Sequence, residues 1–322
     1  MPGGSAPDES THRVAFTAQL LSTPSAAAWR TTCREVEQLG YVGISVSDHF
    51  GAQFAPVIAL AAAASATERV TLGFNVLAND FRHPALLAKE LTTLDVLSDG
   101  RVLAGLGAGW MHADYVETGM AFDKASVRIG RLIEAVSVLR GLWTGEPFSF
   151  AGEHYRIAGL VNRPRPVRSG GLPLLLGGGA ERMLTTAGAL ADVVGIALDN
   201  RSGLAGAPAA SASSTAASTR DKLTWIRAGA AAAGRPMPPV SVRVLTVQIT
   251  NQRRRAATEL GRAFGLDAAS LLESPHALVG TTEQIVDDLL ARRADYGFDR
   301  YVVSQAVVHD LAPVVAALAA AS

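Results

Sequence analysis

Short apolar runs rich in β-branched residues alternate with longer Ala/Leu stretches about eight times along the chain, and this alternation limits the fold most. In the first cycle, residues 14–21 are typical of a strand and residues 25–39 of a helix that ends at Gly40. Repeated strand–helix units place their strands parallel in one sheet. Because the repeat covers ~250 core residues, we predict a closed (β/α)8 TIM barrel with insertions rather than an open doubly wound sheet.

The remaining segments interrupt this repeat. Residues 110–123 are predicted to be a loop, residues 148–157 a hairpin or an irregular excursion, and residues 240–250 a single strand. Residues 201–220 are almost entirely Ala, Ser, Gly and Pro, a composition that buries too little surface to order itself well. They form either a surface insertion or a mobile lid on the carboxyl face of the barrel. We expect a disordered tail at residues 1–12 and one barrel domain at residues 13–322.

Charge and cysteine content exclude several classes of protein. The chain has 29 Lys and Arg against 29 Asp and Glu, so its formal net charge is zero, which argues against a nucleic-acid or anionic-membrane partner. Cys33 is the single cysteine and forms no internal disulfide, as is usual in a reducing compartment. Residues 1–12 contain no apolar signal segment, and no run is typical of a membrane span. A cytoplasmic protein is expected.

Function in such a barrel sits where the strands end, because the loops there form its catalytic face. The predicted strand ends carry Gln19, Asp48-His49, Asn75-Val76, Gly107-Ala108-Gly109-Trp110, Gly177-Gly178-Gly179 and Asp199-Asn200.

The pair Asp48-His49 is the sharpest polar feature among these strand ends. Histidine has an ordinary pKa close to neutral, which suits proton transfer, and an adjacent acid fixes its tautomer or contacts a ligand. The alternative is an Asp that caps a turn beside a solvated His. The sequence leaves these two interpretations equally open.

The Gly177–Gly179 loop stands between a predicted strand and a helix. Three glycines allow a close backbone approach to a ligand, and the helix N-terminus adds a positive dipole end, which together favour an anion. The alternative is a tight strand-to-helix turn. Gly107 and Gly109 stand at another strand end, where the absence of side chains leaves room. That room suits either a flat ring system or close packing of a strand against a helix.

Other polar residues have structural interpretations. His83 precedes Pro84 at a predicted helix start, and Arg128 and Arg131 are interpreted as ion-pairing residues on a packed helix. The histidine spacing fits no metal site, so no metal is expected. No Gly-x-Ser-x-Gly elbow is present, and therefore acyl transfer is unsupported.

Six motifs together resemble the luciferase-like superfamily, and within it the actinobacterial coenzyme F420-dependent oxidoreductases. The resemblance covers about residues 13–308. The motifs are Ser47-Asp48-His49-Phe50, the run from Phe81 to Lys89, the run from Thr93 to Arg101, Leu106-Gly107-Ala108-Gly109-Trp110, Arg128-x-x-Arg131-Leu132 and the run from Pro173 to Gly179.

The resemblance implies that a deazaflavin ring lies at the strand ends and that its phosphate rests on Gly177–Gly179. Related enzymes often carry a bulged non-prolyl cis peptide after the third strand, where Asn75-Val76 stands here. The implied cofactor contacts are Asp48, Asn75, Val76, Gly107, Ala108, Gly109, Gly177, Gly178 and Gly179. Members of the superfamily commonly form homodimers, which implies one here.

The resemblance also assigns catalysis. In F420-dependent sugar-6-phosphate dehydrogenases the matching histidine transfers a proton, so His49 is the implied general acid/base. Those enzymes have a glutamate where this chain has Trp110, which makes a sugar phosphate doubtful and favours a flatter or more apolar substrate. The implied substrate contacts are Gln19, Trp110, His112 and Tyr115.

The implied reaction is hydride transfer between deazaflavin C5 and a small organic or natural-product substrate, in the direction that reduces an activated C=C or C=N bond. Alcohol oxidation with His49 as base uses the same residues. An FMN-dependent monooxygenase on the same fold is one alternative, and a cofactor-binding protein without catalytic activity is another.

Overall fold

The structure is a computed structural model that describes residues 13–204 and 206–320, so the predicted tail at residues 1–12 lies outside the described residues. In chain order the strands are β1 (Ala15–Leu20), β2 (Gly43–Val46), β3 (Thr71–Phe74), β4 (Leu77–Ala78), β5 (Val102–Gly107), β6 (Phe148–Ala151), β7 (Arg156–Leu160), β8 (Leu174–Gly178), β9 (Val193–Ile196), β10 (Val240–Arg243), β11 (Thr246–Ile249), β12 (Ala277–Gly280) and β13 (Arg300–Ser304). The helices are α1 (Ala26–Gln38), α2 (Pro56–Ala64), α3 (Pro84–Leu97), α4 (His112–Thr118), α5 (Ala125–Trp143), α6 (Glu181–Leu190), α7 (Pro208–Ala212), α8 (Ala216–Ala232), α9 (Arg253–Phe264), α10 (Ala268–Glu273), α11 (Thr282–Tyr296) and α12 (Val308–Ala320).

Eight of these strands close into a parallel barrel in the order β1-β2-β3-β5-β8-β9-β10-β13. Closure is made where β13 pairs with β1 and where β3 pairs with β5. The predicted (β/α)8 fold is therefore confirmed. Parallel strands present all their carboxyl ends at one rim, so the residues that follow the strands meet there.

The rim carries one irregularity between β3 and β4. Gly73 pairs with Leu103, and Leu77 pairs with Leu106. Between these two pairs the chain advances four residues from β3 to β4, whereas β5 advances three. The extra residue makes a bulge at Asn75-Val76, and the peptide bond between these two residues is cis. The bulged cis peptide predicted at this place is confirmed.

Side-chain hydrogen bonds cap the N-termini of several helices. The hydroxyl of Ser25 accepts a hydrogen bond from the Ala28 N–H at the start of α1. Thr281 and Gln284 form a reciprocal capping box at the start of α11. His83 caps α3 through Nδ1, so its structural interpretation is confirmed. No helix in the described part of the chain combines the length and apolarity that a membrane span needs.

Two predicted elements were wrong. Residues 110–123 contain α4, a helix of seven residues that is too short to show periodicity. Residues 240–250 are two strands, because the chain leaves the barrel after Arg243 and β11 pairs with β12 instead. The predicted hairpin is confirmed as β6 and β7.

The low-complexity segment 201–220 is more ordered than its composition predicts. It supplies α7 and the first residues of α8, and Ala210, Ser214 and Thr219 are almost fully buried. Small side chains let the backbone pack closely against its neighbours, and α7 contacts α9. Ser213 fastens the segment, because its hydroxyl accepts the Asp199 N–H at 2.8 Å.

Candidate active site

A cavity of about 1140 Å³ opens at the carboxyl rim of the barrel. Twelve predicted site residues line it: Gln19, Asp48, His49, Asn75, Val76, Gly107, Ala108, Gly109, Trp110, Gly177, Gly178 and Gly179. Residues separated by up to 160 positions along the chain meet here because each follows or ends a barrel strand. The volume suits a ligand larger than a metabolite of a few atoms, since ordinary ligand sites enclose ~300–1,000 Å³.

His49 lies in the cavity wall and is held by a residue that sequence reasoning missed. Its Nδ1 lies 2.6 Å from Oδ2 of Asp114, which is on α4. A carboxylate accepts, so Nδ1 carries the proton and Nε2 remains available to a ligand. Trp110 packs edge-on against the imidazole, with the ring centroids 5.6 Å apart. The imidazole of His49 is therefore held in one orientation by Asp114 and Trp110.

Asp48 does not orient its neighbour. Its carboxylate receives two hydrogen bonds from Arg82, at 2.5 and 3.0 Å, and a third from the Ala78 N–H at 3.0 Å. These contacts tie the end of β2 to the segment after the bulge. The orienting role that the sequence offered for Asp48 belongs to Asp114, and Asp48 instead braces the cavity wall.

Val76 projects from the bulge into a space that two glycines leave open. A Cβ on Gly107 would lie 2.7 Å from a methyl group of Val76, and one on Gly177 would lie 2.9 Å from the other. Any larger residue at either position would push Val76 away from the wall. The glycines of β5 and β8 therefore set where this apolar backstop stands.

The Gly177–Gly179 loop leads directly into α6. A Cβ on Gly179 would lie 2.0 Å from the carbonyl oxygen of Leu198, so only glycine fits there. Ala180, the N-cap of α6, provides no side-chain hydrogen bond to the first turn. The N–H groups of that turn, together with the positive dipole end, are therefore available to an anion.

Tyr115 and His112 are not among the residues that line the cavity. Tyr115 is buried beneath Gly109, and its hydroxyl donates to Oδ2 of Asp80 at 3.1 Å. Burial raises the pKa of Tyr115, which keeps this hydroxyl protonated. His112 is exposed and packs on Phe122. Both residues, predicted as substrate contacts, therefore lie outside the cavity lining.

Arg128 and Arg131 do not make the ion pairs along their helix that the sequence predicted. Arg128 donates to the carbonyl oxygens of Ala108 and Gly109 and so pins the loop after β5. Arg131 pairs with Asp80 at 3.1 Å and with Asp123. A helix wheel could not show these contacts, because both arginines reach away from α5 toward the rim.

Arg243 was also missed, although it ends β10 and lines the cavity. In β10 the apolar residues Val240 and Val242 alternate with the polar residues Ser241 and Arg243. That two-residue period indicates a strand with one polar face. Extending the predicted strand to residue 250 obscured the strand end. Within residues 13–204 and 206–320, no His, Cys, Asp and Glu cluster forms a potential metal site.

Sequence comparison finds a matching family and named relatives. The profile of the family described as luciferase-like monooxygenase matches residues 10–272. F420-dependent glucose-6-phosphate dehydrogenase of Intrasporangium calvum is 36% identical over 166 residues, or 48% of this chain and 49% of the relative. The enzyme of the same name from Kribbella flavida is 29% identical over 267 residues, or 79% of this chain and 74% of the relative. The chain spans about half the length of most such relatives.

Solved structures with the same fold have diverse activities. F420-dependent tetrahydromethanopterin reductase from Methanopyrus kandleri superposes with a TM-score of 0.75 at 18% identity, covering 94% of this chain and 97% of that one. An F420-dependent secondary alcohol dehydrogenase, solved with an F420-acetone adduct, also gives 0.75 at 18% identity, covering 95% and 99%. The monooxygenase RslO1 from Streptomyces bottropensis gives 0.71 at 21% identity, covering 94% and 96%.

Proposed function

The chain belongs to the luciferase-like monooxygenase family, and on that premise we propose that it is a coenzyme F420-dependent oxidoreductase acting on a small organic or natural-product substrate. The observation that carries the proposal is the His49–Asp114 pair in the wall of the cavity. It supplies one oriented proton-transfer group, and a two-electron hydride reaction needs one such group beside its cofactor. The named relatives support F420 as that cofactor.

The residues present fit a deazaflavin. Val76, Gly107 and Gly177 line the cavity and carry no polar side chain, which suits a flat ring, and the uncapped start of α6 suits the cofactor phosphate. The first turn of α6 carries both Glu181 and Arg182, which line the cavity and have opposite charges. When bound, F420 supplies or accepts a hydride at its C5 position.

His49 gives or takes the proton through Nε2, while Asp114 holds the ring and its tautomer. Trp110 covers the imidazole and excludes water from that side. Since Trp110 stands where the sugar-6-phosphate dehydrogenases have a glutamate, the site has one acid/base group where those enzymes have two. We therefore propose reduction of an activated C=C or C=N bond in a flat acceptor.

Two features of the molecule extend this proposal. Asn200 and Arg201 line the cavity at the start of the 201–220 segment, so this segment lies where a lid over the ligand would begin. Ile58 on α2 and the neighbouring Leu86 and Leu97 on α3 are exposed apolar residues, which suits a homodimer interface. Sedimentation of the purified protein tests the dimer.

The decisive experiment is titration of the purified protein with F420 and, separately, with FMN. Micromolar F420 binding without FMN binding, followed by anaerobic oxidation of reduced F420 by conjugated enones or imines but not by glucose 6-phosphate, is the expected result. Tight FMN binding with oxygen-dependent turnover would instead establish a monooxygenase, which the family description favours. Binding of neither cofactor would leave a protein without this catalytic activity.

A further inference from the structure

Arg243 lies on the far side of the cavity from the bulge. β10 and β3 are four strands apart in the ring of eight, so Arg243 and the Asn75-Val76 bulge occupy opposite walls. Gln19 connects them: its Oε1 accepts from Nη1 of Arg243, and its Nε2 donates to the carbonyl oxygen of Asn75 at 3.5 Å. The guanidinium is thus held in the floor of the site by a neutral amide.

Two other arginines that line the cavity, Arg128 and Arg201, have partners within the protein. Arg201 pairs with Asp199 at 2.7 Å, and Arg128 donates to backbone carbonyls. Arg243 differs, because no carboxylate within the described ranges lies within 4 Å of it and burial is what lowers its pKa. A guanidinium has five donors, and the amide of Gln19 takes one of them. Such a buried charge is favourable only when an anion joins it.

The protein behind Arg243 adds positive rather than negative potential. His276 donates through Nδ1 to the Arg243 carbonyl oxygen at 2.7 Å. Burial, together with the charges of Lys222, Arg292 and Arg243, lowers the pKa of His276 to about 3, so this histidine is neutral. Asp199 is the acid that faces Lys222, and Arg201 already neutralises it. The floor of the cavity is therefore a positive region enclosed in protein.

We propose that Arg243 binds a carboxylate of the substrate, so that the substrate is an organic acid. A guanidinium fork and a planar carboxylate form paired hydrogen bonds, and a dry, positive floor strengthens them. The phosphate of the cofactor does not need this group, because the start of α6 follows β8 on another side of the rim. The proposal rests on the proposed function only in calling the bound acid a substrate.

The test compares acids with their own amides, benzoate with benzamide and cinnamate with cinnamamide, by thermal unfolding and by direct titration. Neither measurement needs F420. The wild type is expected to bind each acid at least about tenfold more tightly than its amide, an ordinary value for one charge-assisted pair. Arg243→Met, which keeps the volume, should abolish the preference, and Arg243→Lys should retain part of it. Arg254→Met, which removes an exposed arginine on α9, should retain all of it.

Several results would overturn the assignment. Equal binding of acid and amide by the wild type would do so, as would an acid preference that survives in Arg243→Met. A large loss of F420 affinity in Arg243→Met, with the acid preference intact, would make Arg243 a cofactor contact. Binding of glucose 6-phosphate through Arg243, with no binding of carboxylates, would change the ligand class. If Arg243→Met does not fold, the acid-over-amide preference of the wild type and of Arg243→Lys tests the proposal. An equal preference in these two proteins would then overturn it.

The same experiment separates this proposal from the proposed function. A wild type that binds the acids through Arg243 but not F420 would retain the anion site and lose the F420 assignment. A wild type that binds F420 without any acid preference would retain the F420 assignment and lose the anion site.

Discussion

His49 and Asp114 are joined by a contact of 2.6 Å between Nδ1 and Oδ2, although 65 positions separate them in the chain. The second oxygen of Asp114 accepts the Phe50 N–H at 3.1 Å. One buried carboxylate therefore fixes both the imidazole and the backbone that carries it. The arrangement leaves Nε2 as the reactive atom, and the first predictions follow from this geometry.

Replacing His49 by Gln should remove proton transfer and leave the cavity intact. We expect turnover with F420 to fall by about 10²- to 10⁴-fold, the usual contribution of a general acid/base, with F420 affinity nearly unchanged. Steady-state rates and a binding titration measure the two effects. His309→Gln changes an exposed side chain on α12, so it is the matched control and should behave as the wild type. A His49→Gln protein with full turnover would show that water or another residue supplies the proton.

Replacing Asp114 by Asn should act through the tautomer of His49. The amide can present N–H to Nδ1, which places the ring proton on Nε2 and reverses its role. We expect kcat to fall by about 10- to 100-fold while KM and F420 affinity change little. Glu117→Gln, an exposed change on the same helix, serves as control. An equal loss in both proteins, or a rise in KM alone, would contradict the orienting role.

The strand–helix alternation was enough to predict the barrel. His49 and the Gly177–Gly179 loop were predicted as site residues because they lie at the ends of predicted barrel strands. Asp114 was missed for a physical reason: α4 is too short for a hydrophobic period, and its acid meets His49 only after the barrel closes. Arg243 was missed because β10 and β11 follow each other in one alternating run of apolar and polar residues, although they belong to different sheets. Contacts across the rim are tertiary, and no local pattern encodes them.

A methyl group added at Gly107 should disturb the backstop formed by Val76. The new Cβ would lie 2.7 Å from the Val76 side chain, and such overpacking typically costs about 1–3 kcal/mol. We expect Gly107→Ala to weaken F420 binding by about tenfold or more, as Val76 moves into the space of the ring. Shortening Val76 to Ala in the same protein should restore much of the affinity. If the double variant binds as poorly as the single one, Val76 is not the cause.

Acid should destabilise the fold through His276. This histidine is fully buried, its Nε2 is buried without a hydrogen-bond partner among the described residues, and burial lowers its pKa from 6.5 to about 3. Between these values the unfolded chain binds a proton that the folded protein does not, so the free energy of unfolding falls as pH drops below 6.5 and levels off near 3. At pH 5.0 this group alone accounts for a loss of about 2 kcal/mol relative to pH 7.5.

His276→Gln isolates that contribution, because Gln keeps a donor for the Arg243 carbonyl oxygen but does not titrate. Denaturant unfolding at pH 7.5 and pH 5.0 should show a smaller acid loss in the variant than in the wild type, by about 2 kcal/mol. Carboxylates such as Glu37, whose pKa is lowered by backbone N–H groups despite burial, contribute equally to both proteins and cancel in the difference. His309→Gln should keep the wild-type loss. Equal losses in wild type and His276→Gln would mean that His276 is protonated without unfolding, and that the region behind Arg243 admits water.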